Sequence, residues 1–333
     1  MSEARAAHGK ASVAGAIRGA ISRYPWLGPL AALVVVFTVF AVLRPDTFAS
    51  TDTLATMARQ TVVVGITAIG MTLIIVLGGI DLSVGSQVAL TTVVIASLLK
   101  AGYGPLASVI GGVLVTAIAG TVNGLLVTRL RVAPFIVTLG AMSVLRGAAK
   151  GIAKEQKIDA DARGLDTLLS ALPESKRWML LPPGVWAALV VAVLAACLLR
   201  YTRLGRHVVA IGSNEQTARL CGVAVDRVKV TIYALAAALT GLAGVMEFST
   251  LTVGDPTDSV GLELEAIAAV VIGGGSLSGG EGSIPGALIG AFLMTVIKTG
   301  STHLGLPNWV EEIATGFIIV VAVALDRVRH ARR

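Results

Sequence analysis

The chain has 333 residues, 55% of them hydrophobic and 14% charged, with a mean hydropathy of +0.82. Soluble domains carry about 25% charged residues, so these values exclude an ordinary soluble enzyme, a disordered chain and a nucleic-acid binder. The 27 Lys and Arg against 20 Asp and Glu, net +7, then read as the cytoplasmic loop charge of a membrane protein.

Residues 1–24 are polar and basic, with Arg5, Lys10, Arg18 and Arg23 against Glu3. The apolar run that follows ends Val42-Leu43-Arg44-Pro45, without the small-residue exit of a cleaved leader. It is read as a retained first span behind a cytoplasmic tail. A helical span needs about 20 apolar residues. Ten candidate runs follow one another: Trp26–Leu43, Val62–Leu77, Val84–Leu99, Leu106–Val127, Phe135–Ile152, Val185–Leu199, Thr231–Val245, Leu264–Ile272, Ile284–Ile297 and Val310–Leu325. The run Leu264–Ile272 is too short to cross alone and ends in Gly273-Gly274-Gly275, which suggests a broken helix. The whole of 1–333 therefore reads as a single transmembrane domain: an all-α polytopic membrane protein of about ten transmembrane helices, with a glycine-rich broken or re-entrant segment.

Charge sets the orientation. Residues 200–229 hold Arg200, Arg203, Arg206, Arg219, Arg227 and Lys229 against Glu215 and Asp226. With ten alternating spans, this loop, Arg129 and Arg131, the basic N-terminus and the Arg-rich C-terminus share one side, which should be cytoplasmic. The charge-balanced loop 153–182 and the acidic stretch 249–265 fall outside.

Several segments carry possible function. Gly78-Gly79-Ile80-Asp81-Leu82-Ser83-Val84-Gly85 joins two apolar runs. A carboxylate there must be solvated, paired or capping a helix. Asp81 or Ser83 could cap the next helix, or the segment could be a gate or an ATPase contact. Val76, Gly78, Gly79, Leu82, Ser83 and Gly85 recur at a constant offset of 195 as Val271, Gly273, Gly274, Leu277, Ser278 and Gly280. Glycine breaks at matching places in two halves point to a transport path. Leu277-Ser278-Gly279-Gly280-Glu281 imitates the signature loop of ATP-binding cassettes. The chain lacks the Gly-Lys-Ser/Thr phosphate loop such a cassette needs, so ATP hydrolysis is not expected here. In the basic loop, Ser213 and Gln216 have capping-box spacing and Gly222 suits a helix end. A helix of about two turns is expected over Ser213–Cys221, packed on its own loops or docked on a partner. Gly120/Gly124, Gly147/Gly151 and Gly286/Gly290 have the spacing of close helix contacts. Asn123, Glu247 and its neighbour Phe248 are candidates for a substrate path, whereas Arg146 and Lys298, near span ends, would snorkel. Cys197 and Cys221 suggest no disulfide framework, and with four scattered His no metal site. No catalytic group, metal or cofactor is expected.

Gly79–Ser86, together with Gly120-Thr121-Val122-Asn123-Gly124 and Pro134-Phe135-Ile136-Val137-Thr138-Leu139-Gly140, resembles bacterial permeases of the ribose/xylose/arabinose/galactose ABC importer family. Thr202–Gly222 is similar to that family's cytoplasmic loop, and Ala266–Pro285 to its glycine-rich late segment. The resemblance implies a permease pair, expected as a homodimer in the lipid bilayer of the bacterial inner membrane, with both termini cytoplasmic. It also implies a two-cassette ATPase subunit and an extracytoplasmic sugar-binding protein. Ser213, Asn214, Glu215, Arg219 and Leu220 would couple to the ATPase. Gly79, Asp81, Ser83, Gly85, Gly274 and Ser278 would form gate or motif positions. The outer loops 153–182 and 249–262 would meet the binding protein. The expected function is translocation of a monosaccharide. A nucleoside or sugar-like signalling molecule is the alternative, and an ion-coupled secondary transporter the rival of another class.

Overall fold

The computed structural model describes residues 26–173 and 178–331. The basic tail 1–24, residues 174–177 of the loop 153–182 and Arg332 and Arg333 lie outside the described residues. In chain order the helices are α1 (Leu27–Leu43), α2 (Thr51–Val76), α3 (Val84–Lys100), α4 (Pro105–Arg129), α5 (Pro134–Ala153), α6 (Pro183–Tyr201), α7 (Arg203–Ser213), α8 (Glu215–Leu220), α9 (Val225–Leu251), α10 (Leu262–Ile272), α11 (Ile284–His303) and α12 (Asn308–Ala331). Among the described residues the non-helical exceptions are small. β1 (Ile158–Asp159) pairs antiparallel with β2 (Val253–Gly254), Ile158 opposite Gly254, and a 3-10 turn covers Leu165–Leu168. The fold is thus nearly all helical. By length and composition, α2, α4, α5, α6, α9 and α11 can cross a membrane, and α1 and α3 are shorter apolar helices.

Local chemistry explains where these helices begin. Pro105, Pro134 and Pro183 occupy the first helical position of α4, α5 and α6, where a missing N–H costs nothing. Ser50 accepts from the Thr53 amide at 3.2 Å to cap α2, and Ser283 accepts from Gly286 at 3.3 Å to cap α11. Helix α2 starts eleven residues before the apolar run Val62–Leu77, because its first three turns are polar on a face that lines a cavity.

Helices α2, α3 and α9 form the centre, with α4 against α9, α10 and α11 against the far side of α2, and α1 against α11. Glycine sets the closest crossings. A Cβ at Gly120 would overlap the Tyr233 carbonyl oxygen, and one at Gly124 would lie 2.8 Å from Val230 Cα. Cβ atoms at Gly286 and Gly290 would overlap the carbonyl oxygens of Gly273 and Ala269. Gly147 and Gly151, with the same spacing, have nothing within 4 Å. Spacing alone therefore marks a helix that can pack closely, not one that does.

The two glycine breaks end α2 and α10 in the same way. Gly78 (φ +89°) and Gly274 (φ +90°) take the left-handed conformation. The amides of Gly78 and Gly79 donate to Ile75 O and Ile74 O, both 2.9 Å; those of Gly274 and Gly275 donate to Val271 O and Val270 O at 3.0 and 2.9 Å. These are two Schellman ends. Gly78 is thus the structural counterpart of Gly274, an offset of 196, not the 195 of the sequence match. Residues 78–83 lead into α3 and 274–283 into α11, so the loops also differ in length.

Candidate functional site

An open cavity of about 550 Å3 lies between the N-terminal half of α2, the ends of α9 and α11, the start of α10, and α12. Arg59, Gln60, Glu247, Asp258, Glu265, Lys298 and Glu311 supply its charged and polar wall. Lys298 is the centre of a loose ion triad, 3.9 Å from Glu265 and 3.6 Å from Glu311, so it links α10, α11 and α12 rather than snorkelling alone. Among the described residues, no Phe, Tyr or Trp belongs to the lining. Of the three path candidates, Glu247 lines this cavity, facing Asp258. Phe248 is fully buried with Ile95, Ala96, Leu99 and Val245. Asn123 belongs to a separate polar cluster described below.

The cavity floor is the irregular segment 255–261. Arg146 of α5 donates to Pro256 O at 3.0 Å and Asp258 O at 2.6 Å, so it anchors this segment. Gly85 on α3 lets it approach: a Cβ there would overlap Ser259 O and lie 2.6 Å from Glu263 Oε2. At its head, Asp255 accepts from Thr257 N at 2.8 Å and Thr257 Oγ1 at 2.7 Å, and pairs with Lys157 at 2.9 Å. Lys157–Asp255 and β1–β2 thereby tie the loop after α5 to the cavity floor.

Asp81 is 1% exposed and neither lines the cavity nor caps α3. Its Oδ1 accepts from Ser83 N (2.8 Å) and Ser83 Oγ (2.5 Å), and its Oδ2 from Gln87 Nε2 (3.2 Å). Gln87 Nε2 also donates to Ser83 Oγ at 2.8 Å, and Asn123 Nδ2 of α4 donates to the same oxygen at 3.2 Å. Thr138 Oγ1 of α5 donates to Ile80 O at 3.1 Å. This knot pins the loop 78–83 to α3, α4 and α5. Tyr233 of α9 packs over Gly79, whose Cβ would lie 2.6 Å from its hydroxyl. Gln87 Oε1, Ser86 Oγ and the Tyr233 hydroxyl are buried without partners. The sequence hints at this cluster through Ser83 and Gln87, one helical turn apart on an apolar helix; nothing local announces Tyr233.

The basic loop holds two helices. Thr202 caps α7 by accepting from Gly205 N at 3.0 Å. Ser213 is the last residue of α7, its hydroxyl donating to Val209 O, so it does not start the next helix. The cap of α8 is Asn214, whose Oδ1 accepts from Thr217 N at 2.8 Å, and α8 spans six residues, ending before Gly222 (φ +81°). Ala218 is buried against the chain, whereas Leu220 is 88% exposed. Glu215 pairs with Lys229 at 2.7 Å, and Arg219 with Asp226 at 2.8 Å and Glu215 at 3.3 Å. Both Asp226 and Lys229 belong to α9. Ser278 is exposed in the loop 274–283, where the cassette-like string meets α7 through Gly279 and Gly280. Cys197 and Cys221 are free and exposed, and among the described residues no three His, Cys, Asp or Glu gather as a metal site.

Residues 53–323 match the family described as branched-chain amino acid transport system / permease component. The ribose import permease protein of Escherichia coli is 37% identical over 297 residues, 89% of this chain and 92% of its own. The fructose import permease protein of Rhizobium meliloti is 36% identical over 311 residues, 90% and 84% of the two chains. The autoinducer 2 import system permease protein of Yersinia pseudotuberculosis is 34% identical over 297 residues, 89% and 83% of the two chains. No solved structure matches the chain. A match over most of the chain, to apolar helices around a polar cavity, places the chain in this family of membrane transport permeases, to which it belongs.

Proposed function

We propose that the chain is the membrane-spanning subunit of an ATP-binding-cassette importer, passing a monosaccharide received from an extracytoplasmic binding protein. The observation that carries this reading is the cavity: carboxylate, amide and cationic groups around about 550 Å3, without aromatic walls. Sugar hydroxyls both donate and accept hydrogen bonds, and such a lining offers both. Tight sugar sites add stacking faces; a path must release what it admits.

In this reading α1–α6 and α9–α12 make ten crossings, with both termini, α7 and α8 on the cytoplasmic side of the inner membrane. Helix α10 rises only about 16 Å. Segment 255–261 completes its crossing, as irregular backbone is tolerated at membrane depth when protein surrounds it. A second copy of the chain pairs with the first. A two-cassette ATPase docks at Ser213, Asn214, Glu215, Arg219 and Leu220, supplies the hydrolysis, and drives the exchange between outward and inward states. Glu247 contacts the substrate, with Asn123 and Phe248 behind the path. Gly79, Asp81, Ser83, Gly85, Gly274 and Ser278 serve the gate. A sugar-like signalling molecule is the second reading, favoured by the autoinducer 2 relative.

The test is purification of the tagged chain from its native membranes in mild detergent, beside a variant with Asn214–Arg219 replaced by Gly and Ser, with uptake of labelled ribose, fructose and autoinducer 2 by cells carrying each. A two-cassette ATPase that accompanies the natural chain and is lost from the variant, together with sugar uptake, supports the reading. Uptake of autoinducer 2 alone selects the second. A folded, transporting chain without any ATPase refutes both and leaves an ion-coupled carrier, with Glu247 its first residue to test.

A further inference from the structure

Four glycines from three separate parts of the chain, Gly78, Gly212, Gly279 and Gly280, meet where α7 ends. A Cβ at Gly212 would overlap the carbonyl oxygen of Val76, the last residue of α2, and would lie 2.5 Å from the Gly280 nitrogen. A Cβ at Gly279 would lie 2.7 Å from Gly212 O and 3.0 Å from Gly78 Cα. Gly280 donates its amide to Val76 O at 2.9 Å. Gly78, Gly279 and Gly280 all have positive φ, and Gly79 follows in the same loop. The joint is therefore mainly backbone against backbone; the Ser213 hydroxyl, 2.5 Å from a Cβ at Gly280, is the side-chain atom that reaches it. Side chains turn about their rotatable bonds and absorb small displacements; a contact between main chains transmits them.

The parts that meet are the ones a coupled transporter must connect. Gly212 is two residues before Asn214, the cap of α8. Gly78 follows α2, and Gly279–Gly280 join α10 to α11. Helices α2, α10 and α11 are three of the cavity walls. A fourth wall, α9, is tied to α8 by Glu215–Lys229 and Arg219–Asp226. These exposed pairs bend and are screened by salt, so the glycine joint is the stiff connection and the ion pairs the compliant one.

We propose that Gly212 is a positioning residue: the point through which movement of the ATPase-facing helix α8 swings the α2–α3 and α10–α11 hairpins about the cavity. The proposal rests on the importer reading above, because it needs an ATPase to drive α8.

The experiment uses the full chain with its co-purifying ATPase, reconstituted in liposomes with the binding protein. Gly212→Ala tests the joint. Gly316→Ala, with open space around it, is the control. A third variant inserts Gly-Gly between Ser213 and Asn214, which puts no atom into the joint but disconnects it from α8. The readouts are ATP hydrolysed per sugar transported, maximal transport rate, and the sugar concentration for half-maximal rate. Expected for Gly212→Ala is a fall on the order of 10-fold in maximal rate, with the half-maximal concentration, basal hydrolysis and ATPase co-purification kept; the insertion, which abuts the docking residues, is read only by the ATP hydrolysed per sugar transported in the complex that co-purifies. A purely structural role would instead lower all of these in proportion to the folded protein recovered. Natural stoichiometry in either folded variant overturns the proposal. If Gly212→Ala fails to accumulate, the insertion decides alone: uncoupled hydrolysis supports the joint, and coupled transport overturns it. A natural chain that brings no ATPase with it overturns the importer reading and this proposal together.

Discussion

Asp81 lends itself to a sharp test, because its carboxylate can be either a working charge or a structural acceptor. The geometry says acceptor. Asp81→Ala strands the Ser83 amide, the Ser83 hydroxyl and Gln87 Nε2 in a site closed to water. Each stranded buried donor costs about 1–3 kcal/mol. The Ser83 hydroxyl can turn to another acceptor, so the total is about 3–5 kcal/mol. Asp81→Asn keeps Oδ1 for both Ser83 donors. Its new amide meets Gln87, whose Oε1 is buried without a partner and can rotate to accept. Turning the Gln87 amide over gives up its 2.8 Å bond from Nε2 to Ser83 Oγ, so the exchange costs about 1–3 kcal/mol, less than the alanine change. The assay is accumulation in the membrane and the midpoint of heat-induced aggregation in mild detergent, with sugar uptake at matched protein level. The alanine variant should accumulate poorly and aggregate many degrees earlier; the asparagine variant should lose less stability than the alanine variant and stay close to the natural chain in uptake. An asparagine variant that is fully stable yet inactive would refute the structural account and show that the negative charge works during transport.

Other outcomes follow from the same geometry. Gly120→Val should destabilise the α4–α9 crossing by about 3 kcal/mol or more, as overpacking between backbones does, whereas Gly147→Ala, with open space around it, should be neutral or stabilising by about 0.5–1 kcal/mol; the same aggregation midpoint reads both. Burial opposes the Glu215 charge, but Lys229 and Arg219 more than offset it, so Glu215 titrates below the usual carboxylate range. Its tether to α9 is whole above the unfolded-state value, about 4.3, and is lost as pH falls through the lower folded value. Amide exchange of 215–220 should be flat from pH 8 to about 5 after correction for intrinsic rates, and Lys229→Met should raise it at neutral pH. Asp255→Ala should free the loop after α5 from the cavity floor, seen as faster proteolysis between 154 and 170 with uptake reduced. Glu247→Gln should change the concentration for half-maximal uptake without loss of folded protein; unchanged kinetics would remove Glu247 from the path.

Legibility in the sequence followed length scale. The ten apolar runs all became helices, because burial or lipid contact over about 20 residues leaves a long signal. The helix ends were legible where a residue has one local role, as with Gly222 just past the end of α8; the prolines that open α4, α5 and α6 went unread. They were not legible where two residues compete for one role: Ser213 has cap spacing, but Asn214 takes the cap, and Ser213 closes a helix that the basic composition of 200–212 concealed. The cavity was half visible. Glu247 stood out as an acid beside an apolar run, while Arg59 and Gln60 lie before the apolar run Val62–Leu77, in the polar first turns of α2 that this run does not announce. Asp81 and Asn123 stood out as polar residues among apolar ones, yet their partnership across 40 residues of chain is tertiary, and no spacing encodes it. The 195-residue repeat shows the opposite error: glycine-rich strings align easily, and the Schellman ends fix the true correspondence one residue away.

The distribution of chemistry in the fold answers a physical conflict. A path must let its cargo enter and leave, which forbids deep wells; its wall here is charged and polar, but open and without stacking faces. Little of the work of reorientation can then come from gripping the cargo. It has to arrive from elsewhere and reach the walls with small loss. The end of the molecule at α7 and α8 suits that: within two residues of α8 the chain meets, largely backbone to backbone, the end of α2 and the α10–α11 loop. The buried Asp81 knot then holds the loop after α2 to α3, α4 and α5, so a displacement at Gly78 moves a connected group of helices rather than one loop. Weak contact at the cargo and stiff contact at the joint are two sides of the same requirement. That is why a chain so rich in glycine can be both loosely binding and mechanically connected.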